Sequence, residues 1–255
     1  IKRNALIRKL PAVETLGCTT VVCSDKTGTL TQNKMTVMQG WAGEKRFRVS
    51  GEGYDPNGAF AMDDQPLDAA SDPDVAVLLQ GGLLCNDSNL EQKEDDSGVK
   101  HWRIIGDPTE GAMTVAAAKA GFWRKEMEKA LPRVAEIPFD SDRKRMTTIH
   151  RDKQTDHRRF APEGFAYSPV TAFVKGAPDI VLELCGSYLR GGKPVALTED
   201  KRREILEQNR SMAAGALRVL GVACRPLEDV PETCNCDEIE KNLTFIGLLG
   251  MIDPP

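Results

Sequence analysis

The residues best suited to chemistry lie in "CSDKTGTLTQNKM" (23–35), where an aspartate closes the apolar run "TTVVCS" (19–24) and lysine, glycine and threonines follow it. A carboxylate at the C-terminal end of a buried strand stands where open α/β sheets present their ligands. There Asp25 can attack phosphorus and become an aspartyl-phosphate. Such a transfer depends on positioning and charge stabilisation. Lys26, the hydroxyls of Thr27 and Thr29, and backbone N–H groups bared by Gly28 supply donors of that kind. A polar turn after a strand would look similar piece by piece, so the string has to be judged whole.

A nucleophile of this sort needs a phosphate donor held beside it, and the chain has no G-x-x-x-x-G-K-[ST] loop. "GEGYDPNG" (51–58) has the wrong glycine spacing for a dinucleotide fingerprint. A nucleotide would have to be held by an aromatic face and long cations instead. "PFDSDRKRM" (138–146) and "FVKGAPD" (173–179) offer that combination through Phe139, Lys144 and Lys175. The plain alternatives are an ordinary core phenylalanine and a solvated basic turn.

Taken whole, "DKTGTLT" (25–31) resembles the phosphorylation signature of P-type ATPases, the ion pumps that cycle through a phosphorylated aspartate. The resemblance implies that Asp25 accepts the γ-phosphate of ATP with Mg2+ bound at Asp25 and Thr27, with Lys26 and Thr27 assisting the transfer. It also implies that Phe139 stacks on adenine, Lys144 faces the phosphates, Lys175 lies deep in the adenine pocket and Gly176 lets the backbone approach. "GDPTEGA" (106–112) is similar to the motif whose glutamate, Glu110, contacts the adenine amino group. "LRVLGVA" (217–223) is similar to the segment whose arginine, Arg218, reaches the phosphates. Taken by themselves, Glu110 would be a first-turn helix acid favoured by the dipole, and Arg218 a strand-end charge. Asp179 stands where glutamate is usual. Ser141 stands where sarcoplasmic-type calcium pumps have arginine, so that phosphate contact is missing or is supplied by Arg143 or Arg145.

The same superfamily, named for haloacid dehalogenase, contains phosphatases with a second aspartate two residues after the nucleophile. Thr27 occupies that place and cannot act as acid or base near neutral pH, which implies a longer-lived phosphoenzyme. The competing readings are a soluble phosphatase of that superfamily and a non-catalytic nucleotide-binding or regulatory module. Within the pumps, "GDPTEGA" and "SDRKRM" are similar to calcium pumps rather than sodium/potassium pumps, and none of the three histidines reproduces the histidine motif of heavy-metal pumps.

The elements that must position these residues follow from pattern. Residues 1–16 read as a short helix broken near Pro11, and 19–24 as a buried strand. Residues 40–73 read as hairpins and loops, 73–85 as a helix despite two glycines, 91–98 as a solvated acidic loop, and "HWRIIG" as a strand. Residues 107–121 form a helix with Asp107 as cap, Pro108 at its first position and Gly121 at its stop. Strands follow at "RVAEIPF" and "RMTTIHR", then a polar loop (152–169), strand "TAFVKG", helix "APDIVLELCG", a helix over 199–213, and strands "LRVLGVACR" and "LTFIGLLGM".

Neighbouring strands plus helices give an α+β class. The resemblance implies a nucleotide-binding domain (36–252) with a mainly antiparallel sheet flanked by helices, inserted into a haloacid-dehalogenase-like α/β phosphorylation domain of which 1–35 and 253–255 are the edges. Partners would be ATP and the remaining domains of the same pump.

Composition agrees. The 255 residues carry a formal net charge of -4, so no basic footprint points to nucleic acid. The seven cysteines are irregularly spaced and read as a reducing compartment, most of them as small buried hydrophobes. "LTFIGLLGMI" (243–252) is too short to span a bilayer, and the chain reads as soluble by itself; the resemblance implies a place at the cytoplasmic face of a membrane in its parent. Ile1 and the closing "DPP" read as the edges of a piece cut from a longer chain.

Overall fold

The computed structural model describes residues 17–21, 23, 34–95, 98–153, 165 and 167–253. The helix expected over 1–16 and the residues Asp25, Lys26 and Thr27 lie outside them. Of the strand expected over 19–24, Thr19, Thr20, Val21 and Cys23 are described; they are exposed and in no strand.

The described chain is built on an eleven-stranded sheet. In chain order the elements are β1 (Thr36–Ala42), β2 (Lys45–Val49), β3 (Phe60–Met62), β4 (Gln65–Leu67), α1 (Pro73–Leu84), β5 (Asn89–Glu94), β6 (Lys100–Ile105), α2 (Pro108–Lys119) and α3 (Arg124–Ala130). Then come β7 (Arg133–Asp140), β8 (Arg145–Arg151), β9 (Val170–Gly176), α4 (Pro178–Glu183), β10 (Cys185–Arg190), β11 (Lys193–Ala196), α5 (Glu199–Ala214), β12 (Arg218–Leu227), α6 (Cys236–Ile239) and β13 (Leu243–Ile252). The main order is β4-β3-β2-β1-β13-β12-β9-β8-β7, with β10 beside β13 and β11 beside β10; β5 and β6 form a separate hairpin. All pairings are antiparallel except β10 with β13.

Alternation along the strands builds two hydrophobic layers. Phe173, Val222, Ile246 and Leu249 pack against α1, α2 and α3. Val174, Ala223, Phe245 and Leu248 pack against α4 and α5. Because helices cover both of its faces, β13 reads as the continuous apolar run "LTFIGLLGMI", buried along nearly its whole length. α1 tolerates its glycines because it lies close on the sheet: a Cβ at Gly81 would stand 3.0 Å from Phe173 and 3.1 Å from Val222.

The expected helix over 107–121 forms as α2, with Asp107 Oδ1 accepting from the N–H groups of Thr109 (2.8 Å) and Glu110 (3.2 Å). Other expectations need correction. Residues 91–94 are strand rather than loop, because the cross-strand ladder of β5 and β6 needs no apolar period on an exposed hairpin. Helix α4 ends at Glu183, and Cys185 and Gly186 instead enter β10, whose edge is satisfied by β13. β1, α3 and α6 were not legible; α3 buries only Met127 and Ala130, too little to mark a period. Of the seven cysteines, three (Cys85, Cys185 and Cys224) are buried, so burial is not their general state.

Candidate functional site

The expected ligand residues that the structure describes gather at one end of the sheet. β9 ends at Gly176, β12 begins at Arg218, and the β7–β8 turn (140–145) lies beside them: Gly176 is paired with Arg145 on one side and with Gly221 on the other. The N-terminus of α2 covers this end on one face.

Lys175 stands between Met146 of β8 and Val222 of β12. Alternation turns it toward the α1–α2 layer, where its Nζ donates to Glu110 Oε1. The two side chains retain 7% and 16% of their exposure, so the pair is largely withdrawn from water. Glu110 is itself positioned from two sides. Its Oε2 accepts from the Asp87 N–H at 3.0 Å, and its carbonyl accepts from Asn86 Nδ2 at 2.8 Å.

Residues 85–88 thus form the floor of the site. Arg124 (2.8 Å) and Arg133 both donate to the Asn86 carbonyl, while Arg133 also reaches Asp87 at 2.6 Å and Glu136 at 2.7 Å. Burial works against the Arg133 charge, but the two carboxylates more than offset it and raise its pKa. Cys85 is buried beside them, and burial pushes its thiol up against the opposing charge of Lys175. None of this floor was expected from sequence. "NDS" at 86–88 signals a turn, but the arginines that fix it lie 38 and 47 residues away.

Gly176 meets Lys144 through the backbone. An added Cβ would fall 2.4 Å from the Lys144 carbonyl and 2.6 Å from Arg145 Cβ, so no larger residue fits. The same carbonyl accepts from the Ala177 N–H at 3.0 Å. Lys144 adopts φ +52°, and its N–H donates to the Asp140 carbonyl at 2.7 Å. Phe139 is 64% exposed on the same hairpin. It is therefore not the ordinary core phenylalanine that was its plain alternative. Arg218 is exposed, three residues beyond the partner of Gly176, which is ~10 Å of strand.

Arg143 and Arg145, the alternatives for the phosphate contact, both donate to the buried carboxylate of Glu240, at 2.8 and 2.6 Å. Thr147 donates to it as well, at 2.6 Å. Thr147 alternates with Met146, so Glu240 lies across the sheet from Lys175.

An exposed aromatic ring, exposed cations and a buried ammonium–carboxylate pair at one end of a sheet make an arrangement able to hold a flat polar ring with an anionic tail. Comparison with known proteins defines the class. The chain belongs to the family described as P-type ATPase, cytoplasmic domain N, whose model matches residues 74–255. It is 39% identical to a calcium-transporting ATPase of Bacillus subtilis and 44% identical to the cation-transporting ATPase pma1 of Synechocystis, in each case over the whole of this chain. It is 34% identical to calcium-transporting ATPase type 2C member 1 of Bos taurus, again over its whole length. The chain spans about a quarter of these relatives: 26%, 26% and 23% of their lengths. Among the described residues no helix is long and apolar enough to cross a membrane.

Proposed function

We propose that this chain is the ATP-binding and phosphorylation segment of a cation-transporting ATPase at the cytoplasmic face of a membrane, with calcium as the ion. Residues 36–252 bind ATP and deliver its γ-phosphate to Asp25. Phe139 stacks on adenine, Lys175 and Glu110 recognise its polar edge, and Lys144 and Arg218 meet the phosphates. Asp25 and Thr27 would hold the Mg2+ that neutralises charge in the transfer, with Lys26 beside them.

The observation that carries this reading is the Lys175–Glu110 pair buried at the same sheet end as the exposed Phe139. A buried ion pair is a poor way to gain stability, whereas a donor and an acceptor held side by side suit a base edge. The reading of 36–252 as an insertion between 1–35 and 253–255 is supported by the Lys34 N–H, which donates to Asp253 Oδ1 at 3.0 Å. The chain thus enters and leaves the domain at one point. Calcium is supported by the relatives that carry that name.

Calorimetry on the 255-residue chain tests the proposal. ATP is expected to bind, equally well to Asp25→Asn and more weakly to Lys175→Ala, with negligible steady hydrolysis. Absence of binding, or binding indifferent to Lys175, would overturn it. Sustained hydrolysis abolished by Asp25→Asn would show that the segment needs no further domain.

A further inference from the structure

We infer that Glu240 is a positioning residue for nucleotide binding, acting as a latch that sets the hairpin carrying Phe139 and Lys144. This rests on the proposed ATP site. Glu240 lies just before β13 and is 2% exposed. Its carboxylate accepts from Arg143 Nη1 at 2.8 and 3.0 Å, Arg145 Nε at 2.6 Å and Thr147 Oγ1 at 2.6 Å.

Each arginine passes that hold to a particular peptide bond. Arg143 Nη2 donates to the Pro138 carbonyl at 2.8 Å, which is the peptide leading into Phe139. Arg145 Nη1 donates to the Arg143 carbonyl at 3.2 Å, which is the peptide leading into Lys144. The two guanidiniums therefore orient the backbone immediately before the two ligand residues, and one buried carboxylate orients both guanidiniums.

The hairpin has reason to need such a device. Lys144 is in the left-handed region, which is uncommon for a residue other than glycine. Phe139 is largely exposed, so packing does not fix its place. Asp140 supplies part of the restraint, its Oδ1 accepting from the N–H groups of Asp142 (2.9 Å) and Arg143 (2.8 Å). Those bonds close the turn locally and the Lys144 carbonyl joins it to β9 through the Ala177 N–H, while Glu240 ties its side chains to the segment before β13, across 95 and 97 residues.

A preorganised ring and cation bind ligand without first being ordered. In the 255-residue chain, Glu240→Gln is expected to weaken ATP binding about tenfold, the cost of ordering two side chains on binding. Phe139→Ala should then cost far less in the Glu240→Gln background than in the parent, because the ring is no longer held in place. Lys175→Ala should cost the same in both backgrounds, since its strand does not depend on the latch. A merely structural role for Glu240 would scale both losses alike, and that result overturns the proposal. So does ATP affinity in Glu240→Gln within twofold of the parent while Phe139→Ala weakens binding, an outcome that leaves the ATP site intact. If neither Phe139→Ala nor Lys175→Ala alters ATP affinity, the ATP site itself is wrong and the latch falls with it. Should Glu240→Gln fail to fold by circular dichroism, Arg143→Lys replaces it: it keeps the charge but cannot reach Glu240 and Pro138 together. The same weakening and the same loss of coupling to Phe139 are expected, and parent-like affinity there overturns the proposal.

Discussion

Lys175 at the end of β9 and Glu110 in the first turn of α2 form an ion pair largely withdrawn from water, 65 residues apart in sequence. Removing one member strands the other's charge. Lys175→Ala is expected to lower stability by roughly 2–4 kcal/mol, moderated by the Asp87 N–H that Glu110 keeps. The double variant Lys175→Met with Glu110→Gln should recover most of that loss. Urea unfolding of the three chains checks this, and a double variant no better than the single would contradict it.

Phe139 presents the opposite case. With 64% of its surface exposed, Phe139→Ala should change stability by less than about 0.5 kcal/mol. Its ATP affinity should nevertheless fall by more than ~1 kcal/mol, the value of a stacked aromatic. Thermal unfolding and calorimetry on one preparation separate the two effects.

Gly176→Ala tests the close approach of β9 to the β7–β8 turn. With a Cβ placed 2.4 Å from the Lys144 carbonyl, the backbone has to shift, at a cost of roughly 1–3 kcal/mol. The turn that carries Lys144 shifts with it, so ATP affinity should drop together with the melting temperature. A parent-like melting curve would show that the approach is looser than described.

His150 gives the domain a pH dependence. Its Nδ1 faces the Leu131 carbonyl at 2.9 Å and its Nε2 the Thr148 hydroxyl at 3.0 Å. Burial is the main cause that lowers its pKa to about 4, with Arg133 and Arg124 adding to it and the Leu131 bond opposing it. The folded state thus prefers the neutral ring, while the unfolded chain protonates near pH 6.5. The stability this contributes is complete above pH ~6.5 and is lost as pH falls toward 4, by up to roughly 3 kcal/mol. Unfolding free energies at pH 7.5 and pH 5 should differ less in His150→Gln than in the parent; an unchanged difference would rule out His150 as the cause.

Much of the strand and helix sequence was legible because its signals are local. Asp107, Pro108 and Gly121 mark both ends of α2 within fifteen residues, and the short continuous apolar run "LTFIGLLGM" reads as a buried strand. Residues 91–94 read as loop because the β5–β6 ladder is held by backbone bonds, to which charged side chains are indifferent. Cys185 and Gly186 looked like the tail of a helix, and only the proximity of β13 turned them into strand.

The sequence by itself determined the chemical vocabulary: an aspartate at the end of an apolar run, an aromatic, and lysines and arginines in recognisable strings. Tertiary structure decided which of them act together. Arg143, Lys144 and Arg145 are adjacent and chemically alike as text, yet alternation and the buried Glu240 draw the outer two across the sheet. The floor of the site at Asn86 and Asp87 is likewise made by arginines from two distant elements. Local propensity records the backbone's own preferences. The pairing of a buried charge with a partner far along the chain is settled only when the sheet closes and water is excluded.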